Sequence, residues 1–270
     1  MNRAVFQPRT VWMCVFLFLL LPSMSFAGGS TCANATAVIP DGRSLVLDYV
    51  SPASTAWYQF NATANRSYSV ELRDDLDPDS TDFTVSFYSA PVSCSAPASS
   101  TNYTDTHLTE PSVGPHGKRF SFVPATTGAY YISVLNGNSA LGHYVTVTVA
   151  ETTMYGDSWN TLVPLTSQWL LQNTTSQAIS YTLTATAEYG GSTVYTASGT
   201  LGPASSTTSF ASVGTGSFTP NIPVGQLGNA ILTYNGPPGA VKALEFWCNY
   251  GTTQGPLGMM PIPFGPRQAK

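Results

Sequence analysis

The chain has 270 residues, enough for two ordinary domains or one large one. Only 9% of its residues are charged and 43% are hydrophobic, a composition that favours an exported β-protein over a cytosolic enzyme. The formal net charge of −4 offers no basic surface for nucleic acid, so nucleic acid is excluded as a partner.

Residues 1–27 have the organisation of a signal peptide. Arg3 and Arg9 give a positive start, the apolar run 11–21 follows, and small residues stand at the positions that a signal peptidase recognises. The apolar run is shorter than the ~20 residues of a membrane-spanning helix, which argues against the alternative of a membrane anchor. We therefore expect a mature chain that begins at Gly28, without a membrane span, in the periplasm or outside the cell.

Short runs of alternating polar and apolar residues fill the segment 28–150. A period of two is typical of strands with one buried and one wet face, and in one such run Tyr68, Val70 and Leu72 share a face. No stretch has a convincing helical period. Short strands bounded by Gly, Pro, Asn or Ser predict a β-sandwich of the jelly-roll or immunoglobulin-like type. The predicted strands are 44–50, 57–62, 66–72, 82–88, 118–123, 128–135 and 143–149.

The last two of these runs are predicted to pair with each other as a β-hairpin. The dipeptide Asn136-Gly137 follows the first of them and tolerates positive φ, so a chain reversal is expected there. We expect this hairpin to close the first sandwich.

A second set of alternating runs follows a boundary at about 150–157. It predicts a second sandwich over residues 151–270, in tandem with the first sandwich over 28–150. The turn 235–239, Asn-Gly-Pro-Pro-Gly, separates the last two of these runs, and an irregular C-terminal tail is expected from Gly255. The predicted strands are 167–172, 179–186, 193–197, 228–234 and 240–247.

Four stretches of the first segment resemble the bacterial pre-peptidase C-terminal domain, a β-sandwich appended to secreted proteases and other exported proteins. The resemblance covers about residues 30–150 and implies the same fold and an exported protein. Such domains usually follow a catalytic domain, which is not found here, and this argues against a protease-targeting role. The four stretches are Cys32-Ala-Asn-Ala-Thr-Ala37, Trp57-Tyr-Gln-Phe60, Asp82-Phe-Thr-Val-Ser-Phe-Tyr88 and Pro124-Ala-Thr-Thr-Gly-Ala-Tyr-Tyr-Ile-Ser-Val134.

The second segment resembles a domain of uncharacterised exported bacterial proteins. The resemblance rests on Leu171-Gln-Asn-Thr-Thr175 and Asn235-Gly-Pro-Pro-Gly-Ala240 and implies no activity. The two segments do not look like copies of each other.

An acidic run at 74–82 is the candidate metal site. Asp75, Asp77 and Asp79 have the one-three-five spacing of calcium loops, and Asp82 follows them. An EF-hand is excluded because the Gly and Glu that it needs at its sixth and twelfth positions are missing. A calcium loop of another kind, which some relatives of the resembled family have, stays open, but we favour a solvated acidic turn because clustered carboxylates repel one another and stay hydrated. No other cofactor is expected.

Three cysteines remain after removal of the signal peptide, and an oxidising compartment permits a disulfide. We predict a bond between Cys32 and Cys94, since both lie in the first sandwich and the N-terminal arm has few apolar anchors. Relatives of the resembled family often carry cysteines at similar places. Cys248 is expected to be a buried free thiol in the second sandwich.

The motif 156–158, Gly-Asp-Ser, matches the nucleophile block of a serine-hydrolase family. That family needs an α/β fold and a later histidine, whereas His107, His116 and His143 all precede the serine. None of the three has a partner at the spacing of a zinc site. We therefore expect an interdomain turn at this motif and no catalytic residue.

The tryptophans of the mature chain are expected to fill the sandwich cores, although exposed ones could stack on sugar rings. Together these features predict a secreted, non-catalytic module that binds a polysaccharide, a cell-surface polymer or another exported protein. The alternative is a structural surface component that assembles with copies of itself or with other exported proteins. The tryptophans are Trp57, Trp159, Trp169 and Trp247.

Overall fold

The protein is an all-β protein, as its sequence predicts. Apart from β-strands and loops, the described residues contain one short 3-10 turn at Cys32–Asn34. In that part of the chain no helix is long and apolar enough to cross a membrane. The predicted signal peptide, residues 1–27, lies outside the described residues. The computed structural model describes residues 29–74, 83–88, 101–102, 117–160, 165–188, 193–211, 226–251 and 255–266.

The first half of the chain forms two sheets. Sheet 1 has the strand order β1-β3-β8-β5-β6 and sheet 2 has the order β2-β9-β4-β7. All pairings are antiparallel except that of β1 with β3. The strands are β1 (Thr36–Ala37), β2 (Asp41–Val50), β3 (Thr55–Ala62), β4 (Tyr68–Asp74), β5 (Phe83–Tyr88), β6 (Thr101–Asn102), β7 (Gly117–Phe122), β8 (Gly128–Asn136) and β9 (His143–Glu151).

Sheets 1 and 2 pack face to face around one core and so form a β-sandwich. The predicted apolar face of β4, which carries Tyr68, is buried. Aromatic rings meet across the core: Phe60 of sheet 1 lies 6.2 Å from Tyr68 of sheet 2, and Phe87 of sheet 1 lies 5.1 Å from Phe120 of sheet 2 (centroid distances). Such contacts add to the apolar burial that holds the two layers together.

The predicted hairpin of β8 and β9 is wrong, because the two strands lie in different sheets. β8 pairs with β3 and β5, whereas β9 pairs with β2 and β4. Each strand has a buried apolar face, with Ile132 and Val134 on β8 and Val145 and Val147 on β9. Both apolar faces are buried because the two strands lie on opposite sides of one core. The loop 137–142 connects them across the edge of the sandwich.

The second half forms sheet 3, with the order β13-β12-β15-β10-β18, and sheet 4, with the order β14-β11-β16-β17. Trp169 of sheet 4 stacks on Tyr195 of sheet 3 at 6.1 Å, so these sheets also face each other across a core. The strands are β10 (Met154–Asn160), β11 (Leu165–Asn173), β12 (Ile179–Ala187), β13 (Thr193–Leu201), β14 (Ser206–Ala211), β15 (Leu227–Tyr234), β16 (Val241–Gly251), β17 (Gly255–Pro263) and β18 (Gly265–Pro266).

Only Thr152 and Thr153 separate the last strand of the first half from the first strand of the second. Both are buried, and both are tied to Ser67: the amide of Thr152 donates to the Ser67 carbonyl (2.8 Å), and the Ser67 amide donates to Oγ1 of Thr153 (2.9 Å). The C-terminal tail pairs with β16 through β17, with a register shift between Cys248 and Tyr250, and with β10 through β18.

Candidate functional site: the outer face of sheet 2

The outer face of sheet 2 carries a group of exposed apolar side chains. On β2 and β9 the exposed fractions are 67% for Leu45, 45% for Leu47, 40% for Tyr49 and 37% for Tyr144. We call these four residues the apolar patch. Because side chains alternate between the two faces of a strand, the intervening residues of β2 point into the core. The patch therefore belongs to a single surface and is not a scatter of separate exposed residues.

The two tyrosines form a cross-strand pair. Tyr49 and Tyr144 are direct partners in the β2–β9 ladder, and their ring centroids lie 5.0 Å apart at a tilt of 56°. The ring of Tyr49 also lies against the backbone at Gly142, where a Cβ would come within 2.0 Å of the tyrosine hydroxyl oxygen. A side chain at residue 142 would have to displace this ring, so glycine at this position permits the observed placement of Tyr49.

An ionic group lies on the same face, on β4 and β7. Arg119 donates to Oε2 of Glu71 from Nη2 (2.6 Å) and from Nε (3.1 Å), and Nε of Arg73 donates to Oε1 of Glu71. The Arg119 side chain is 8% exposed and the Arg73 side chain is 49% exposed. Burial opposes ionisation of Glu71, but the hydrogen bonds and charges of the two arginines outweigh it, and the pKa of this carboxyl lies below its ordinary value.

Between the apolar patch and the ionic group lies a cleft of about 390 Å³. Thr146 stands opposite both Leu47 and Arg73 in the ladders, and Thr148 stands opposite both Leu45 and Glu71. The cleft thus has apolar, hydroxyl and charged groups in adjacent rows. Its volume is within the range of small-ligand sites. Its lining comprises Gly42, Leu45, Ser69, Glu71, Arg73, Thr146, Thr148, Ala150 and Pro238.

These groups are suited to binding a ligand by stacking, hydrogen bonding and charge. Glu71 is the carboxylate of the cleft, and two arginines hold it in its ionised form, which does not suit a general acid. Within the described ranges no group of three or more His, Cys, Asp or Glu residues could hold a metal ion.

Several residues that the sequence singled out lie outside the described part of the chain. These include the acidic run with its calcium candidates, so the choice between a calcium loop and a solvated turn stays a prediction. Cys32 is buried at the 3-10 turn, and its bond to Cys94 likewise stays a prediction. The residues concerned are Asp75, Asp77, Asp79, Asp82, Cys94, His107 and His116.

The Gly-Asp-Ser motif lies inside β10, so the prediction of an interdomain turn is wrong. The β10–β15 register shifts between Gly156 and Trp159, which places the motif at a β-bulge. A Cβ at Gly156 would lie 2.6 Å from the ring of Phe264. Trp159 is buried, and its Nε1 donates to the carbonyls of Thr186 (3.2 Å) and Asn229 (3.1 Å). Close packing therefore accounts for the glycine of the motif, and the side chains of Asp157 and Ser158 lie outside the described set.

The remaining histidine and most of the tryptophans that can be placed belong to the cores. His143 is buried, with its ring edge-on to Phe83 at 5.3 Å. Trp159 and Trp169 are fully buried, which confirms the prediction for these two. Trp57 is half-buried and lies 5.0 Å from the ring of Tyr88. The Trp247 side chain is outside the described set.

The exposed aromatic pair is therefore a tyrosine pair, which sequence reasoning missed. In the run 44–50 the residues Leu45, Leu47 and Tyr49 make one face apolar, whereas the other face carries the polar residues Ser44 and Asp48. Alternation alone would therefore bury the face that is exposed in the structure, and the run gave no signal for the site.

Comparisons with known proteins do not assign the chain to a family. No model of a known protein family matches it, and no curated protein sequence does. The pre-peptidase C-terminal domain of a collagenase from Bacillus anthracis is 15% identical, with 42% of this chain and 93% of that chain covered and a TM-score of 0.30.

Two further solved structures are similar at a comparable or lower level. PliG of Salmonella Typhimurium, a periplasmic inhibitor of g-type lysozyme, is 11% identical, with 43% of this chain and 99% of that chain covered and a TM-score of 0.27. A glycosyl hydrolase family 2 member from Bacteroides cellulosilyticus is 7% identical, with 77% of this chain and 28% of that chain covered and a TM-score of 0.21. All three TM-scores are below 0.5, so no conclusion about this chain rests on them.

Proposed function

We propose that the protein is a secreted, non-catalytic binding module that recognises a carbohydrate polymer through the outer face of sheet 2. The observation that carries the proposal is the exposed cross-strand pair of Tyr49 and Tyr144 beside the cleft. A tyrosine ring offers an apolar face for stacking and a hydroxyl for hydrogen bonding. A sugar ring has the matching apolar face and polar rim.

The position of the pair on a sheet supports this function further. β9 pairs with β2 on one side and with β4 on the other, so the backbone at Thr146 and Thr148 is held from both sides, and Tyr144 continues this strand opposite Tyr49 of β2. Side chains on such a scaffold lose little conformational freedom when a ligand binds. The signal-peptide features of residues 1–27 and the low content of charged residues support the secreted location.

The experiment is a glycan array probed with the full mature chain, followed by calorimetric titration of the best ligand. Tyr49→Ala and Tyr144→Ala should each raise Kd roughly fivefold, since an aromatic contact contributes about 1 kcal/mol. Leu135→Ala is the matched control, because Leu135 is equally exposed but lies on β8 in sheet 1. Failure to bind any glycan, or equal loss in the control variant, would contradict the proposal.

The same experiment separates this function from self-assembly. An apolar patch of this kind can also serve as a contact between copies of one chain. Sedimentation velocity of the wild-type chain over a range of concentrations should show a monomer. Concentration-dependent assembly that Tyr144→Ala abolishes would instead favour a structural component.

A further inference from the structure

Arg73 stands next to the aromatic pair on the outer face of sheet 2. It is the ladder partner of Thr146, and Tyr144 is the next residue on the same face of β9. Arg73 and Tyr144 are therefore diagonal neighbours, about 7–8 Å apart between backbones and within reach of long side chains. A ligand that stacks on the tyrosines would meet the Arg73 guanidinium at its edge.

The ionic group has an excess of one positive charge. Glu71 faces two arginines, and Arg119 uses both its Nε and its Nη2 on this carboxylate while remaining nearly buried. Arg73 engages Glu71 only through Nε, and its terminal Nη groups make no hydrogen bond among the described residues. Within this group of three side chains, Arg119 neutralises Glu71 and the guanidinium of Arg73 leaves a net charge of +1.

This charge is opposite in sign to that of the whole chain. The chain has a formal net charge of −4 and a sequence pI of about 5.2. A positive group on a protein of net negative charge attracts anions to its own neighbourhood. Charge complementarity thus specifies a ligand that carries negative charge close to a stacking surface.

From these observations we infer that the ligand is an acidic polysaccharide whose sugar carboxylates pair with Arg73 while its rings stack on Tyr49 and Tyr144. This inference rests on the proposed function and adds the class of ligand to it. The planar guanidinium presents two parallel N–H donors, which match the two oxygens of a carboxylate. Lysine offers the charge without that geometry, and this difference makes the assignment testable.

The test compares binding of the mature chain to polygalacturonate, to its methyl ester, to neutral dextran and to dextran sulfate at fixed ionic strength. The wild-type chain should bind polygalacturonate at least tenfold more tightly than the methyl ester. Arg73→Gln should abolish that preference, and Arg73→Lys should restore only part of it. Lys242→Gln is the matched control, since it removes an exposed charge from β16 and should leave the preference intact. Thermal unfolding of each variant confirms that it is folded.

The outcomes distinguish this inference from the proposed function. Equal affinity for polygalacturonate and its methyl ester overturns the inference and leaves sugar binding standing. Tightest binding to dextran sulfate overturns the carboxylate assignment. A preference for the acidic polymer that Arg73→Gln leaves unchanged shows nonspecific attraction and also overturns it. Failure to bind any of the four polymers contradicts the ligand class proposed here, and only the full glycan array decides the proposed function.

Discussion

At the scale of single residues, Asp48 decides which face of β2 is buried. It is the only charged residue in the run 44–50, and alternation by itself would place it in solvent. Asp48 is instead buried, and its Oδ2 accepts a hydrogen bond of 2.8 Å from the Tyr58 hydroxyl on β3. Burial, together with the Asp48 charge and hydrogen bond, raises the pKa of Tyr58 above its ordinary value. With Asp48 inside, Tyr49 and its neighbours face outward and form the apolar patch.

Removing the hydroxyl of Tyr58 tests this buried pair. Asp48 Oδ1 has no hydrogen-bond partner among the described residues, so Tyr58→Phe removes the hydrogen bond that these residues donate to the Asp48 carboxyl. We expect a loss of about 1–3 kcal/mol in the free energy of unfolding, measured with urea. The double variant Tyr58→Phe/Asp48→Leu should recover most of this loss, because it removes both polar partners. A single variant as stable as the wild type would refute the role given to the pair.

Tyr234 in the second core predicts a dependence of stability on alkaline pH. Burial raises its pKa from 10.0 to about 12, against a smaller lowering effect of a hydrogen bond with the Gly239 backbone. A raised pKa contributes stability that is fully present below the unfolded value and is lost as the pH rises through the folded value. The wild-type chain should therefore lose stability between pH 10 and about pH 12, and Tyr234→Phe should lose less over the same interval in chemical denaturation. Parallel curves for the two proteins would contradict this assignment.

At the scale of elements, a buried asparagine ends one strand of each sandwich and ties two loops together. Asn136 is the last residue of β8, and its Nδ2 donates to the carbonyls of Val50 (3.2 Å), Ser51 (3.2 Å) and Leu141 (2.9 Å). Its Oδ1 accepts from the amide of Asn138 (2.9 Å). The loop that leaves sheet 1 after β8 is thereby joined to the loop that enters sheet 1 before β3.

Asn173 makes the same set of contacts in the second sandwich. It ends β11, and its Nδ2 donates to the carbonyls of Gln177 (2.5 Å), Leu201 (3.3 Å) and Gly202 (2.9 Å). Its Oδ1 accepts from the amide of Thr175 (2.9 Å). The sequences of the two halves do not look like copies of each other. Each half nevertheless uses a buried asparagine in the same way to connect two of its own loops.

The partner loops match as well. Residues 51–54 are Ser-Pro-Ala-Ser and residues 202–205 are Gly-Pro-Ala-Ser, and in each loop the final serine donates from Oγ to the first carbonyl at 2.7 Å. Ala53 and Ala204 have positive φ values of 50° and 47°. In the first half the loop 51–54 comes before Asn136 in the chain, whereas in the second half the loop 202–205 comes after Asn173. Sequence order hid the likeness, whereas the repeated Pro-Ala-Ser was a signal that could have found it.

Replacement of either asparagine should weaken its sandwich by a similar amount. Asn136→Ala and Asn173→Ala each leave buried carbonyls without donors, and we expect each to cost at least about 2 kcal/mol in the free energy of unfolding. Asn61→Ala is the matched control, since Asn61 is exposed on β3. Losses of unfolding free energy within error of the control would show that the hydrogen bonds of these two asparagines do not hold the loops together.

At the scale of the whole molecule, the two residues Thr152 and Thr153 connect the strands of the first core to those of the second. Glu151 accepts hydrogen bonds at this joint from Arg66 (3.4 Å) and from the Tyr155 hydroxyl (3.1 Å). The Gly-Asp-Ser segment, which the sequence predicted to be an interdomain turn, is part of a strand. The chain therefore passes from one group of sheets to the next without a flexible linker.

The predicted export has a direct test. The positive start and apolar run of residues 1–27 lead us to expect cleavage before Gly28 when the gene is expressed in a Gram-negative host. Edman sequencing of the exported protein should begin at or near Gly28. Recovery of intact Met1 from a membrane fraction would support an anchor instead.

The predicted disulfide concerns the N-terminal arm. A bond between Cys32 and Cys94 would close a long loop and stabilise the chain by roughly 4 kcal/mol on the loop-entropy estimate. Peptide mapping of exported protein without reduction should recover the Cys32–Cys94 peptide and a free Cys248. A cross-link to Cys248, or three free thiols, would contradict the pairing.

The sequence by itself determined the all-β class and the approximate positions of twelve of the described strands, but it did not predict β1, β6, β10 or β14. Those features depend on local alternation of side chains and on turn residues, which act over a few neighbours. The buried faces of β4 and β5 follow from the same pattern, as Val70 and Val85 illustrate.

Only the tertiary structure decided which strands are partners and which face of β2 is exposed. The separation of β8 from β9 depends on two distant strands, β2 and β3, that receive them. The inward position of Asp48 depends on the hydroxyl of Tyr58, which no pattern within β2 contains. The candidate site was missed for the same reason, because Tyr49, Tyr144 and Arg73 become neighbours only when β2, β9 and β4 pair. The pairing of distant strands depends on how all the strands pack together, and the sequence of a single strand does not specify it.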